Sequence, residues 1–273
     1  MMILNNYEIT KFIEGSGMQS TVVQATHIPT NKTCIAKVTK FDNHQQTNRF
    51  ANECDILTKL SSCKHIVKMI DSFVRDNKGV LILERYPFDL MTLIEANQMS
   101  LKRKMALFLQ LCKAVKECHK HGVAHLDLKP ENILVSADFT RMKLCDFGNS
   151  KILPEDGLVK ICSGTLVYSP PEYFDDTYFD GKKADIWALG ILYHVFISDT
   201  WPYTAKTQKE TLYQLTNGMI SMHSSLTESQ RSVMMKMTQM DPANRINISE
   251  VCTLIAKENQ SHYLSKVIKK LNL

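Results

Sequence analysis

The stretch His125-Leu126-Asp127-Leu128-Lys129-Pro130-Glu131-Asn132 places three kinds of polar group between apolar segments. Asp127 offers a carboxylate, Lys129 an ammonium and Asn132 a carboxamide. A carboxylate can accept the proton of an attacking hydroxyl, and an ammonium can neutralise charge on a moving phosphoryl group. A carboxamide oxygen can ligate a hard cation such as Mg²⁺. These groups together predict phosphoryl-transfer chemistry.

A second carboxylate follows in the short run Asp146-Phe147-Gly148. Either run by itself occurs by chance in many proteins, but both in this order, with further motifs beside them, form a strong signal. Apart from Leu126, the two runs resemble the catalytic loop and the metal-binding triplet of eukaryotic protein kinases. Gly164-Thr165 together with Lys129 is similar to the serine/threonine type of that family.

The resemblance implies an α+β, two-lobed fold, with a small antiparallel-sheet N-lobe carrying one main helix and a larger, mainly helical C-lobe. The 273 residues are enough for such a core. We expect a single kinase domain over residues 1–273. Pro87 interrupts a strand where the pattern changes from strand-rich to helix-rich, so we place the N-lobe at 1–84, the hinge at 85–89 and the C-lobe at 90–273.

Composition narrows the class of protein. Hydrophobic residues make up 44% of the chain and charged residues 22%, and the formal charge of +5 is spread without a long basic run. This pattern does not favour nucleic acid as a partner, and the apolar runs are too short for a membrane span. The eight cysteines include no C-x-x-C pair, and the start lacks the pattern of a signal peptide. We expect a monomeric intracellular protein, cytoplasmic or nuclear, with reduced thiols and no membrane partner.

Short β-branched segments from Tyr7 to Val38 predict an antiparallel meander. Between its first two strands, Gly15-Ser16-Gly17 resembles the start of the kinase glycine-rich loop, with Ser20 where a third glycine usually stands. A plain hairpin turn is the alternative. Lys37 ends an apolar strand, where a buried ammonium needs an anion, although an edge-strand lysine facing water is the alternative.

The resemblance implies that Glu53 pairs with Lys37 and that Lys37 holds the α- and β-phosphates of ATP. It makes Leu83 the gatekeeper of the pocket, lets Glu84 and Tyr86 bind adenine through main-chain atoms, and brings Asp89 to the ribose. The full set of residues expected to bind ATP is Gly15, Ser16, Gly17, Val22, Ala36, Lys37, Glu53, Leu83, Glu84, Tyr86, Asp89 and Leu134.

The same resemblance gives the catalytic and metal-binding residues. Asp127 would take the proton of the substrate hydroxyl, Lys129 would offset charge on the transferring group, and Thr165 would hydrogen-bond both. Asn132 and Asp146 would hold Mg²⁺. The expected ligands are therefore ATP, Mg²⁺ and protein substrates that offer serine or threonine.

Several structural expectations accompany these assignments. Apolar spacing predicts a core helix from Ser100, as N-cap, to His121, with Gly122 just beyond its end. A helix over 184–192 is apolar nearly all round and should be buried, so Asp185 needs partners, which the resemblance places in the catalytic loop. The resemblance also pairs Glu172 with Arg245.

Leu126 stands where most kinases have an arginine that binds a phosphate on the activation segment. Leucine has no donor, so we hypothesise that activity does not require phosphorylation of that segment. Cys145 should border the ATP pocket, either as a small apolar residue or as a reactive thiol. An active serine/threonine kinase is the main reading, a catalytically silent scaffold of the same fold is the second, and a kinase-fold enzyme acting on small molecules is the third.

Overall fold

Six β-strands form one antiparallel sheet in the N-terminal part of the chain. The computed structural model describes residues 2–12, 20–96, 99–160, 164–175 and 177–270, with side chains except those of 2, 12 and 261–270. The strands run in the order β1-β2-β3-β4-β6-β5. Their bounds are β1 Met2–Leu4, β2 Tyr7–Phe12, β3 Ser20–His27, β4 Lys32–Lys40, β5 Met69–Arg75 and β6 Lys78–Leu83.

Local turn chemistry and register explain the sheet. Asp76 and Asn77 both have positive φ, at 50° and 58°, which gives the tight turn that joins β5 to β6 with the twist of its strands. Strands β2, β3 and β4 pair in sequence and antiparallel, so the predicted meander is confirmed. Tyr7 on β2 donates a hydrogen bond to Asp71 on β5 at 3.2 Å, across the curled sheet.

One long helix packs on this sheet. Helix α1 (His44–Lys59) begins at Asn43, whose side chain accepts a hydrogen bond from the Gln46 amide. It buries Phe50, Glu53, Ile56 and Leu57 at helical spacing. Three of these are apolar and form part of the main core, so the buried carboxylate of Glu53 needs a partner.

The connection from α1 to β5 differs from the prediction. The apolar, β-branched residues within 66–70 predict a strand over that range, but β5 begins only at Met69. Before it, the Val67 amide donates to Leu144 O at 2.9 Å and the Leu144 amide donates to His65 O at 2.8 Å. These bonds tie the connection to the C-terminal part of the chain, so its backbone hydrogen-bonding groups are used outside the sheet.

The C-terminal part is mainly helical, as expected. Its helices are α2 Leu90–Glu95, α3 Leu101–Lys120, α4 Gly181–Ser198, α5 Gln208–Thr216, α6 Glu228–Met237 and α7 Ile248–Lys270. Helix α4 is buried on nearly every side, as its composition predicts. Ser100 does occupy the N-cap position of α3, but its side chain makes no capping bond. Gly122, at φ +67°, lies just past the end of α3.

Short strands shape the loops between α2 and α4. The strands are β7 Phe88–Asp89, β8 Val123–Ala124, β9 Ile133–Val135, β10 Met142–Leu144, β11 Lys151–Ile152, β12 Leu158–Val159 and β13 Phe179–Asp180. Strand β9 pairs with β10 and β7, β11 pairs with β8, and β12 pairs with β13. The pairs hold the run from Asp127 to Asp146 against α3 and α4, below the N-terminal sheet.

Candidate active site

A lysine and two carboxylates meet between the sheet and the helical part. Lys37 Nζ on β4 lies 2.8 Å from both carboxylate oxygens of Glu53 on α1 and 2.8 Å from Asp146 Oδ1. Burial by itself lowers the pKa of Lys37, but the two carboxylates more than offset this and the pKa is raised. The ammonium is therefore charged, and the expected pairing of Lys37 with Glu53 is present.

Asp146 is the exposed member of this group. Its side chain is 43% exposed, against 5% for Glu53. Burial acts to raise its pKa, but the Lys37 ammonium prevails and lowers the pKa to about 2. Its backbone lies in the left-handed region, at φ 60°. This conformation holds an ionised carboxylate beside Lys37 with access to solvent.

The catalytic-loop residues form a hydrogen-bonded group of their own. Thr165 donates to Asp127 Oδ1 at 3.0 Å, and Lys129 Nζ donates to Asp127 Oδ2 at 2.9 Å and to Thr165 Oγ1 at 3.2 Å. Asn132 Nδ2 donates to the Asp127 backbone carbonyl at 2.8 Å. The predicted contacts of Thr165 with both Asp127 and Lys129 are thus present.

Asn132 and Asp146 carry the donor chemistry that Mg²⁺ prefers. The Asn132 amide nitrogen is used by Asp127, which orients the amide and leaves its oxygen to serve as a ligand. Asp146 adds an ionised carboxylate with solvent access. Hard oxygen donors of this kind suit a cation that keeps part of its water shell. The residues present are therefore compatible with a magnesium-bound phosphate group.

Buried contacts fix the catalytic loop from below. Asp185 on α4 is 1% exposed and accepts the backbone amides of His125 and Leu126, each at 2.8 Å, and it also lies 2.9 Å from His119 Nε2. His125 Nε2 lies 3.0 Å from Cys145 O while its Nδ1 accepts the Asp127 amide, which sets the tautomer. The expected acceptor role of Asp185 is present in the structure.

These groups line one cavity of about 350 Å³. Its wall includes Lys37, Glu53 and Asp146 from the first group and Asp127, Lys129 and Thr165 from the second. The other described lining residues are Ser20, Thr39, Gln46, Arg49, Phe50, Gly148, Asn149 and Gly164. Residues that are far apart in sequence thus face a common space, which carries positive and negative groups together.

The predicted adenine-binding residues of the sheet lie on different faces, because the register puts Leu83 on the face of Lys37 and Ala36 on the opposite face. Leu83, 9% exposed, ends β6 opposite Ile35, and Ala36 is fully buried opposite Ile82. Leu134 on β9 packs against the main core. Neither these three residues nor Tyr86 is among the described residues that line the 350 Å³ cavity.

Glu84, just before the predicted hinge, and Asp89, at its end, already have hydrogen-bond partners. The Glu84 amide donates to Lys68 O at 3.0 Å, and its carboxylate accepts the Lys68 amide at 2.7 Å and Lys143 Nζ at 2.9 Å. Of its main-chain groups, this leaves the carbonyl for adenine. Asp89 caps α2, and both its oxygens accept hydrogen bonds from Thr92. Asp89 can bind a ribose only in competition with that cap.

The predicted glycine-rich loop precedes strand β3. Gly15, Ser16 and Gly17 lie outside the described residues. The strand that follows is described, and Val22 on β3 is the register partner of Lys37 on β4. Directly opposed residues point to the same face of a sheet, so Val22 shares the face of Lys37.

Leu126 belongs to an apolar cluster that holds the segment after Asp146. It packs with Leu153 and Tyr173 against buried Val159, Phe179 and Ala184. Val159 lies on β12 and Phe179 on β13, so the cluster joins that strand pair to the catalytic loop and to α4. These contacts of Leu126 are apolar, and the hypothesis that activity does not require phosphorylation of the segment stays a prediction.

The predicted ion pair near the end of the same segment is also present. Arg245 is 2% exposed, and its two terminal nitrogens each lie 2.6 Å from one oxygen of Glu172. Arg245 also donates to the Gln239 carbonyl at 2.7 Å and stacks over Trp187 at 5.0 Å. Every side of the guanidinium is thus engaged, which is typical of a structural arginine.

Sequence reasoning missed Asn149 as a member of the site. Its amide donates to Asp127 Oδ2 at 3.3 Å, so it adds another donor to the carboxylate. Its position directly after Asp146-Phe147-Gly148 was the available signal. Arg49, which lines the cavity from α1, carried no comparable signal.

Comparison with known proteins agrees with this geometry. The family model described as "Protein kinase domain" matches residues 7–254. The chain is 26% identical over 252 residues to the carbon catabolite-derepressing protein kinase of Saccharomyces cerevisiae, covering 91% of this chain and 39% of that protein. It is 30% identical over 260 residues to the probable serine/threonine-protein kinase MARK-B of Dictyostelium discoideum, covering 92% and 36%.

The chain spans about two fifths of the length of these relatives. Among the helices that the structure describes, none combines the length and apolar character needed to cross a membrane.

Proposed function

Because its family match covers residues 7–254, the chain belongs to the protein kinase family, and we propose that it transfers the γ-phosphoryl group of ATP to serine or threonine hydroxyls of proteins. One observation carries the proposal. The hydrogen-bonded group of Asp127, Lys129 and Thr165 faces the same cavity as the ion-paired group of Lys37, Glu53 and Asp146. Phosphoryl transfer depends mainly on positioning and charge, and this arrangement supplies both.

In the proposed mechanism, Asp127 orients the substrate hydroxyl and accepts its proton. Its carboxylate is held by Thr165, Lys129 and Asn149, so its position is set before substrate arrives. Lys129 offsets negative charge on the group being transferred. Lys37, held by Glu53, positions the phosphates of ATP.

Asn132 and Asp146 are the proposed magnesium ligands. Bound Mg²⁺ would neutralise phosphate charge during transfer. The protein's own part is to orient the Asn132 amide through Asp127 and to hold the Asp146 carboxylate at the cavity through Lys37. Replacing either ligand should therefore remove activity without unfolding the chain.

The remaining assignments complete the proposal. ATP binds between an N-lobe at 1–84 and a C-lobe at 90–273, with 85–89 as the hinge and 1–273 as one kinase domain. Its contacts are Gly15, Ser16, Gly17, Val22, Ala36, Lys37, Glu53, Leu83, Glu84, Tyr86, Asp89 and Leu134. We also propose that the protein acts as a monomer in the cytoplasm or nucleus.

The test is transfer of labelled phosphate from ATP to a generic basic protein in the presence of Mg²⁺. Asp127→Asn and Asp146→Asn should each lower turnover by about 10²-fold or more. The matched control is Asp55→Asn, because Asp55 is exposed on α1 and does not line the cavity. The control should retain wild-type turnover.

Three results would contradict the proposal. Unchanged turnover in the Asp127 and Asp146 variants would exclude their roles. Mg²⁺-dependent ATP consumption without label in any protein would point to a small-molecule acceptor. Absence of both ATP consumption and transfer by the folded wild type would point to a silent scaffold.

A further inference from the structure

Three metal-ligating side chains meet away from the active site. Cys63 follows the end of α1, whereas Glu117 and His121 lie one turn apart at the end of α3. Spacing of four residues places the last two on one face of the helix. The Cys63 sulfur, a Glu117 carboxylate oxygen and a His121 ring nitrogen all lie within 4.8 Å of one another.

The orientation of His121 is set by the backbone. Its Nδ1 lies 2.9 Å from the carbonyl oxygen of Glu117. A carbonyl can only accept, so Nδ1 carries the hydrogen and the lone pair of the neutral ring lies on Nε2. Histidines that bind metals are commonly oriented in this way, with the second ring nitrogen donating to a backbone carbonyl.

The Cys63 thiol and the Glu117 carboxylate are already hydrogen-bonded to each other. The Cys63 thiol donates to Glu117 Oε2 at 3.9 Å, and Cys63 is 8% exposed. A divalent cation can replace the proton of that thiol, and it would bind the sulfur as a thiolate.

We propose that Cys63, Glu117 and His121 form a binding site for Zn²⁺ or a similar borderline-soft divalent metal. One sulfur, one oxygen and one imidazole nitrogen are ligands that Zn²⁺ accepts together, with a water completing a tetrahedral set. The sulfur disfavours Mg²⁺, which prefers oxygen. The site is therefore distinct in chemistry from the proposed magnesium ligands at Asn132 and Asp146.

The three proposed ligands come from both parts of the protein. Helix α1 carries Glu53, the partner of Lys37, and Cys63 lies just after its C-terminal end. Glu117 and His121 belong to the helical part of the protein. A metal held by all three would fix the end of α1 to the end of α3, and so limit how far α1 can move from the helical part.

The experiment measures Zn²⁺ binding directly, so it does not depend on kinase activity. Calorimetry should give one Zn²⁺ per chain, and saturating Zn²⁺ should raise Tm by about 3 °C or more. With Co²⁺ as the probe, a thiolate-to-cobalt charge-transfer band should appear. Cys63→Ser should abolish that band, and Glu117→Gln or His121→Gln should weaken Zn²⁺ binding by about tenfold or more.

Matched controls separate this site from chance binding by other thiols. Cys54→Ser changes a cysteine that lies on α1 and outside the cluster, and this variant should keep wild-type affinity and the cobalt band. Glu117→Gln keeps the buried thiol, so it tests the site even if Cys63→Ser unfolds the chain. Absence of Zn²⁺ binding by the wild type, or equal affinity in wild type, Glu117→Gln and His121→Gln, would overturn the proposal.

Discussion

Replacing Arg245 with methionine should destabilise the protein severely. The change removes both 2.6 Å contacts to Glu172, whose side chain is only 12% exposed, and it also leaves the Gln239 carbonyl without its 2.7 Å donor. Breaking a buried ion pair by removing one partner costs about 3–5 kcal/mol, because a charge is left buried and unpaired. The stacking of the guanidinium on Trp187 is lost as well.

The effect is measurable by urea and thermal unfolding. For a chain of this size about 2–4 °C of Tm is lost per kcal/mol, so we expect a decrease of roughly 6–20 °C. The control is Lys40→Met, because Lys40 pairs with Asp42 at a comparable 2.7 Å but its side chain is 69% exposed. Solvent screens that pair, so Tm should hardly change. An Arg245→Met variant as stable as Lys40→Met would refute the argument that burial, not distance, decides the cost.

Five more outcomes are expected from the contacts of the site. Phosphatase treatment should leave kinase activity unchanged. Leu126→Ala should loosen the apolar cluster around Val159, so limited proteolysis should cleave the chain near Val159 faster than in the wild type. Asn149→Ala should lower kcat about fivefold, the effect of one hydrogen bond to Asp127, with the far-ultraviolet spectrum unchanged. The pKa of Asp146 is lowered to about 2 in the folded protein, against ~4 in the unfolded chain. Its ionised carboxylate should therefore add to the free energy of unfolding above pH ~4, and this contribution should be lost as the pH falls towards 2. Urea unfolding of Asp146→Asn at several pH values should lack this pH-dependent contribution. Cys145, whose pKa is raised by burial and by Asp146, should react with iodoacetamide at neutral pH far more slowly than a cysteine in an unfolded peptide.

The sequence predicted the contacts that short motifs specify. Lys37 with Glu53, Thr165 with Asp127, and Arg245 with Glu172 all meet as expected. Each pair joins groups of complementary charge or hydrogen-bonding capacity, which have little reason to lie in an apolar interior without each other. All three pairings were predicted from the resemblance to protein kinases, and the complementary chemistry of each pair explains why its members meet.

Other contacts depend on how distant segments of the chain pack together, and the sequence alone did not predict them. The residues just before Met69 look like a strand because they are β-branched and apolar, yet their backbone bonds go to Leu144. Asp89 was expected at a ribose, but Thr92, three residues later, occupies both of its oxygens. Cys63 and Glu117 are 54 residues apart, and only the packing of α1's end on α3 brings them together.

The carboxylate of Asp185 has a wider consequence for which positions of the catalytic loop can vary in sequence. It sits on α4, the most enclosed helix, and holds the backbone of the loop that bears Asp127. The backbone conformation of the loop is thus set by a buried carboxylate that accepts its amides, and not by the side chains at the loop's surface. Leucine at position 126 is consequently compatible with this loop, because Asp185 holds the backbone amide of that residue and not its side chain.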